Sequence, residues 1–323
     1  MQIDVLGTLD VRENGVSIAP TAPKPRQVLA LLALHADRVV PVAALVDELW
    51  SGRPPRSVRT TLQTYVLQLR ELITLALRSP GPDTGIGAGP GFGPASAAPP
   101  PSSGLPVPSV PSGPSASPAG SVRRGAKDVL ATVPGGYLLV SGGGTSDVRE
   151  FERLAGLGYR AMDAGEHKDA SRLLGEALLL WTGPAFAGVP AGARLETEAR
   201  RLEESRLCAL DQRIEADLRL GRHRELLAEL TVLTSRYATH ENLHAQFMLA
   251  LHRSGRRGEA LDVYHRLRTT LVRDLGLEPS PRLRRLQQSI LVAAPETPPP
   301  APSRAPAVLA LPAARARAGV RPV

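Results

Sequence analysis

Residues 45–70 read LVDELWSGRPPRSVRTTLQTYVLQLR, two helical stretches packed around a proline turn, and that spacing points to a helix-turn-helix. Asp47, Glu48, Leu49 and Trp50 close a short apolar helix. Gly52, Pro54 and Pro55 break it, and Ser57 stands where an N-cap would start the next helix. On a helical wheel, Val58, Leu62, Val66, Leu69 and Ile73 fall in one narrow stripe that must face a core. Thr60, Thr64, Leu67 and Glu71 then lie opposite the stripe. Arg56, Arg59, Gln63 and Arg70 flank it on one side, Thr61 and Gln68 on the other. Arginine and glutamine form paired hydrogen bonds to base edges, and threonine meets phosphates or a thymine methyl, so the outward face suits a DNA major groove. Glu71 argues against the far end of the helix lying deep in that groove. Any solvated helix carries such residues, so the neighbouring elements decide.

Those neighbours have the order of a winged helix. Residues 2–19 alternate apolar and polar positions around a Glu13-Asn14-Gly15 turn, as a small antiparallel sheet does. Residues 26–35 are apolar almost all round, as in a centrally packed helix, and residues 42–50 and 57–78 supply two more helices. Arg123, Arg124 and Lys127 then lead into a hairpin of residues 129–133 and 137–140 turned at Pro134-Gly135-Gly136. In a winged helix the third helix enters the major groove and the hairpin reaches the neighbouring backbone or minor groove. Lys24, Arg26, Arg123, Arg124 and Lys127 are the expected phosphate contacts.

Between these parts, residues 80–122 turn abruptly to Pro, Gly, Ser and Ala, a composition that cannot bury enough surface to offset its chain entropy, and a disordered insertion is expected. Residues 147–292 are helical in pattern and carry an irregular repeat. Gly165, Gly221 and Gly255 are each followed five residues later by Ala170, Leu226 and Ala260, and the last two glycines lie 34 residues apart, the period of tetratricopeptide helix pairs. Residues 293–323 read as a flexible basic tail. The expected organisation is a DNA-binding domain made of residues 1–79 and, across the insertion, the wing of 123–141, followed by a helical domain over 147–292. The fold class is mainly α with a small β component: an N-terminal winged helix-turn-helix plus a C-terminal all-α tetratricopeptide-like domain.

The chain has 323 residues, room for two modest domains, and its formal charge of +8 suits a polyanionic partner. Cys208 is the only cysteine, which excludes an intramolecular disulfide and a cysteine-cluster metal site and points to a reducing compartment. With no signal-like leader and no run of membrane-spanning length, a cytoplasmic protein without membrane contact is expected.

The segments VLGTLDV, KPRQVLALLALHADRVVP, residues 45–70 and GGYLL, followed by EALLLWTGPAF, RLEESRLCAL, LGRHRELLAEL and the long stretch beginning HAQFMLALHRSGRRGEALDVYHRLR, occur in an order that resembles the Streptomyces antibiotic regulatory protein family. Members join an OmpR-type winged helix to a bacterial transcriptional activator domain. The resemblance implies a transcriptional activator, specific for a secondary-metabolite (antibiotic) pathway, that binds double-stranded DNA at promoter direct repeats as a homodimer and engages RNA polymerase. It implies no catalytic residue, cofactor or metal. The DNA-binding residues it and the helical wheel select are Arg56, Arg59, Thr60, Gln63, Thr64, Gln68 and Arg70. Leu67 and Gln68 stand where the family usually has serine and arginine, the insertion separates reading helix from wing, and no GxxxxGK[ST] nucleotide-binding motif is present.

Two other classes compete. His240-Glu241-Asn242-Leu243-His244 fits the H-E-x-x-H zinc hydrolase signature, with Glu259 or Asp262 as a third ligand. Alternatively, the helical repeat is a protein-interaction scaffold and the first domain lacks specific DNA affinity.

Overall fold

The computed structural model describes residues 1–79 and 124–292, and the sequence expectations for the insertion, for Arg123 and for the C-terminal tail lie outside them. The described residues form two compact units, Met1–Arg222 and the segment beginning at His223.

The first unit opens with β1 (Gln2–Asp4), β2 (Asp10–Glu13) and β3 (Val16–Ser17), antiparallel in sequence order. Asn14 (φ 50°) and Gly15 (φ 78°) make the turn that the Glu-Asn-Gly triplet signals. Helix α1 (Pro23–Leu34) begins with proline at its first position, where the missing N–H costs nothing, and is buried without a break from Gln27 to Ala33. Strand β4 (Val39–Pro41) precedes α2 (Val42–Trp50), which ends on two left-handed residues, Ser51 (φ 47°) and Gly52 (φ 79°). They redirect the chain into α3 (Val58–Arg78), whose Leu62, Val66, Leu69, Ile73 and Ala76 are buried.

Ser57 occupies the N-cap position of α3 but does not cap it. Its backbone has left the extended region (φ −91°, ψ 20°), and its hydroxyl lies 3.4 Å from Thr61 Oγ1. Val129 ends a four-residue helix, α4 (Ala126–Val129), rather than starting a strand. The cause is Asp128, whose carboxylate accepts the Gly125 N–H at 2.8 Å and closes a helical turn ahead of β5 (Leu130–Val133). That strand pairs with β6 (Gly136–Leu139) through a turn with Gly135 at φ 82°, and β6 pairs with β4 in a three-stranded sheet. A Cβ on Gly136 would lie 2.3 Å from the Val40 carbonyl oxygen, so only glycine lets β4 approach there.

Strand β7 (Thr145–Ser146) runs parallel to β1 and completes the first sheet in the order β3-β2-β1-β7. Helices α5 (Asp147–Asp163), α6 (His167–Leu179) and α7 (Ala193–Arg219) follow. Gly165, between α5 and α6, is left-handed at φ 76°, and Ala170 behind it is fully buried, as the repeat requires. The loop of residues 182–192 is stitched to the first strand region: Thr182 N–H donates to Leu6 O, Phe186 N–H to Val5 O and Ala187 N–H to Gly7 O, at 2.8–2.9 Å. A single apolar core runs from Ile3 and Val11 through Leu29, Leu45, Leu69 and Leu130 to Phe151, Trp181, Leu195 and Leu202. The winged-helix elements and the first three helices after them therefore share one interior.

One buried carboxylate joins the two parts. Glu48 on α2 is 2 % exposed and accepts the backbone N–H groups of Gly192 (2.6 Å), Arg194 (3.0 Å) and Leu195 (3.2 Å) at the start of α7, together with Gln27 Nε2 of α1 (3.0 Å). Those amides are the unpaired donors at the positive end of a 27-residue helix, where a carboxylate is favoured. Gly192 is required for the approach, because a Cβ there would meet Glu48 O at 2.2 Å.

The second unit contains α8 (Leu226–Arg236), α9 (Glu241–Arg253), α10 (Arg257–Leu275) and α11 (Pro281–Val292). Gly255 (φ 79°) turns α9 into α10, and Ala260 is fully buried, repeating the Gly165–Ala170 arrangement.

Replacing Glu48 with alanine leaves buried N–H groups unpaired and is expected to lower the unfolding free energy by about 2–4 kcal/mol in urea titrations. Glu48→Gln, which keeps the shape but not the charge, should lose less. An unchanged midpoint for Glu48→Ala would contradict this role.

Candidate nucleic-acid interface

Helix α3 is amphipathic in the sense the wheel requires. Its stripe enters the core, while Arg56, Arg59, Thr60, Gln63, Thr64, Leu67 and Gln68 are exposed on and beside the opposite face. Among the described residues, no hydrogen bond or ion pair engages the side chains of Arg56, Arg59, Gln63 or Gln68, so their donors are unspent. Thr64 Oγ1 donates to Thr60 O at 3.0 Å, which folds its hydroxyl back onto the helix. Lys127, on the exposed side of α4, is likewise without an ion pair among the described residues.

The other cations singled out in the sequence have internal work. Arg70 spans from α3 to the hairpin: Nε and Nη2 donate to Leu130 O at 3.1 and 2.8 Å, and Nη2 also donates to Thr132 Oγ1 at 2.8 Å. Lys24 Nζ donates to Leu49 O at 2.5 Å, satisfying a carbonyl in the last turn of α2. Arg26 reaches Leu9 O (3.2 Å), just before β2, and Pro20 O (3.4 Å), in the loop ahead of α1. Arg124 donates to Val140 O at 2.5 Å and lies 3.6 Å from the buried Glu13. All four are spent inside the fold, with Arg70 tying α3 to the hairpin, while Arg59, Gln63 and Gln68 on α3 and Arg56 just before it are left facing outward. Sequence type alone cannot separate Arg56, Arg59 and Lys127 from these four, since all are Lys or Arg.

The zinc-hydrolase motif is absorbed by structure. His240 is the N-cap of α9, its Nδ1 accepting the Leu243 N–H at 3.3 Å, and Glu241 accepts the Ser280 N–H at 2.8 Å. His244 is buried, with Nδ1 3.1 Å from His240 O, and burial pushes its pKa below the ordinary imidazole value. Glu259 is paired with Arg256 at 2.6 Å. Among the described residues no three His, Cys, Asp or Glu side chains gather as a metal site would need.

A winged helix presenting an unengaged polar helix face, followed by paired helices of tetratricopeptide type, defines a bacterial DNA-binding transcriptional regulator. Residues 18–81 match the family model "Transcriptional regulatory protein, C terminal" and residues 146–291 match "Bacterial transcriptional activator domain". The chain is 49 % identical to Regulatory protein DnrI of Streptomyces peucetius over 91 % of this chain and 93 % of that one. It is 32 % identical to Regulatory protein AfsR of Streptomyces coelicolor over 91 % of this chain but 24 % of the longer relative. Among solved structures, Mycobacterium tuberculosis EmbR in complex with a low affinity phosphopeptide is similar with a TM-score of 0.69 and 30 % identity, covering 90 % of this chain and 64 % of that one. The chain belongs to the Streptomyces antibiotic regulatory protein family.

Because Arg70 carries two hydrogen bonds to one wing carbonyl, Arg70→Ala is expected to cost about 1–3 kcal/mol of stability. It should weaken binding to promoter and scrambled duplexes by similar factors in parallel titrations. A change in base preference with unchanged stability would return Arg70 to the groove.

Proposed function

We propose that the protein is a pathway-specific activator of a secondary-metabolite (antibiotic) gene cluster. In this account, residues 1–79 and the wing of 123–141 bind double-stranded DNA at promoter direct repeats, and residues 147–292 serve dimer formation and contact with RNA polymerase. The observation that carries it is the outward face of α3, where Arg59, Gln63 and Gln68, with Arg56 in the turn just before, stand exposed with no internal partner among the described residues while the opposite face is buried. Exposed donors on a rigid helix are the equipment for base-edge hydrogen bonds. Thr60 and Thr64 border them, and Lys127 beside the wing supplies a charge for the phosphate backbone. Lys24, Arg26, Arg70 and Arg124 support binding by holding helix and wing in register; Arg123 lies outside the described residues. The family relationship supports promoter DNA as partner and regulation rather than catalysis as the activity. No described helix is long and apolar enough to cross a membrane, in keeping with a cytoplasmic site of action.

Footprinting and equilibrium binding on promoter against scrambled duplex, at several salt concentrations, test this directly. Arg59→Ala or Gln63→Ala is expected to cost about 1–3 kcal/mol on the promoter and to relax base preference, with little change on scrambled DNA. Weak, sequence-independent binding by the intact protein would favour a protein-interaction scaffold instead.

A further inference from the structure

Leu67 is 57 % exposed and lies near the centre of the outward face of α3. It is set among residues with polar or charged side chains: Gln63 and Thr64 one turn before it, Gln68 beside it and Glu71 one turn after. Nothing in the fold needs a leucine there, since the stripe that packs α3 into the core is complete on the other side with Leu62, Val66, Leu69 and Ile73. Thr64 sharpens the pattern. Its hydroxyl donates to Thr60 O, so this exposed side chain, one turn from Leu67, has its γ-methyl left and no free donor. Leu67 and Thr64 thus make a small apolar spot bordered by the unengaged donors of Gln63 and Gln68.

In the major groove, thymine is the one base that presents an apolar group, its C5-methyl, while the other base edges there present hydrogen-bonding atoms or bare ring carbon. We infer that Leu67, with Thr64 beside it, is a specificity-determining residue that packs on a thymine C5-methyl and selects thymine at one position of each half-site. The inference rests on the placement of α3 in the major groove. A serine in this place would offer a hydrogen bond instead, so relatives bearing serine there should not share the preference.

The test is equilibrium binding of the full chain to its footprinted promoter duplex in two forms, one natural and one with every thymine of the footprint replaced by deoxyuridine. That replacement deletes the methyl and leaves every hydrogen-bonding group in place. Intact protein is expected to bind the uracil duplex about three- to tenfold more weakly, in line with burial of one or two methyl groups. Leu67→Ala should bind both duplexes alike, and Leu67→Met, which keeps an apolar contact, should retain most of the discrimination. Leu75→Ala, removing another exposed leucine two turns along the same helix, should retain all of it. Leu67→Ala that keeps the full ratio, or intact protein that prefers promoter to scrambled duplex yet does not distinguish uracil from thymine, overturns the methyl contact while leaving α3 in the groove. Intact protein with no preference for promoter over scrambled duplex overturns both.

Discussion

The carboxylate of Glu48 is the point on which the first unit turns. A buried charge is tolerated only when its lone pairs are filled, and here three backbone N–H groups of the α7 N-terminus and the amide of Gln27 fill them. Gln27 Nε2 also donates to Glu48 O at 2.9 Å, so α1, α2 and the start of α7 are tied at one place. Asp147 repeats the device at the other side. It caps no distant helix but accepts Val5 and Leu6 N–H at 2.5 and 2.6 Å from the first residue of α5. Burial outweighs these bonds and holds its pKa above the usual carboxylate value. Between them, the two acids fasten the winged-helix elements to the helices that follow.

This fastening decides what kind of object reaches DNA. A winged helix on a loose linker would search for its site independently of the rest of the chain, whereas here α3 is referred through α1 and α2 to α7. The wing is referred to α3 through Arg70, and the α2 terminus to α1 through Lys24. The cations on the structural side of this arrangement are spent on carbonyl oxygens, and those of the outward face of α3 are not. A formal charge of +8 is therefore a poor guide to where DNA sits, because part of it is consumed in holding the reading head together.

Local features were legible in the sequence and long-range ones were not. The Asn-Gly and Pro-Gly-Gly turns, the repeat glycines and the stripe of α3 depend on residues within one or two turns of each other, and each has the conformation its chemistry implies. Helix α2 spans the same nine residues that the apolar pattern marks. By contrast, Glu48 finds its partners 144–147 residues away, and Arg70 its carbonyl 60 residues away across the insertion. Neither residue type nor spacing distinguishes such a group from a solvated one. Strand β7 is illegible for a similar reason: its two residues, Thr145 and Ser146, form a strand only because β1 lies beside them. Val129 shows the opposite failure, where the Asp128 carboxylate overrides a local strand signal, and Ser57 stands at the N-cap position without capping. In the candidate interface, the outward face of α3 could be read from periodicity, but the division of its cations into free and engaged could not.

Because Glu48 and the shared core bind them, the winged-helix elements and helices α5–α7 should open as one body. Native-state hydrogen exchange of the full chain, resolved by peptide, measures this directly. Amides in the cores of α1, α3 and α7 should exchange through a common opening with the same free energy and the same denaturant dependence, and Glu48→Ala should lower all three together. Exchange of α1 and α3 through an opening of their own, with α7 unaffected by Glu48→Ala, would contradict the account.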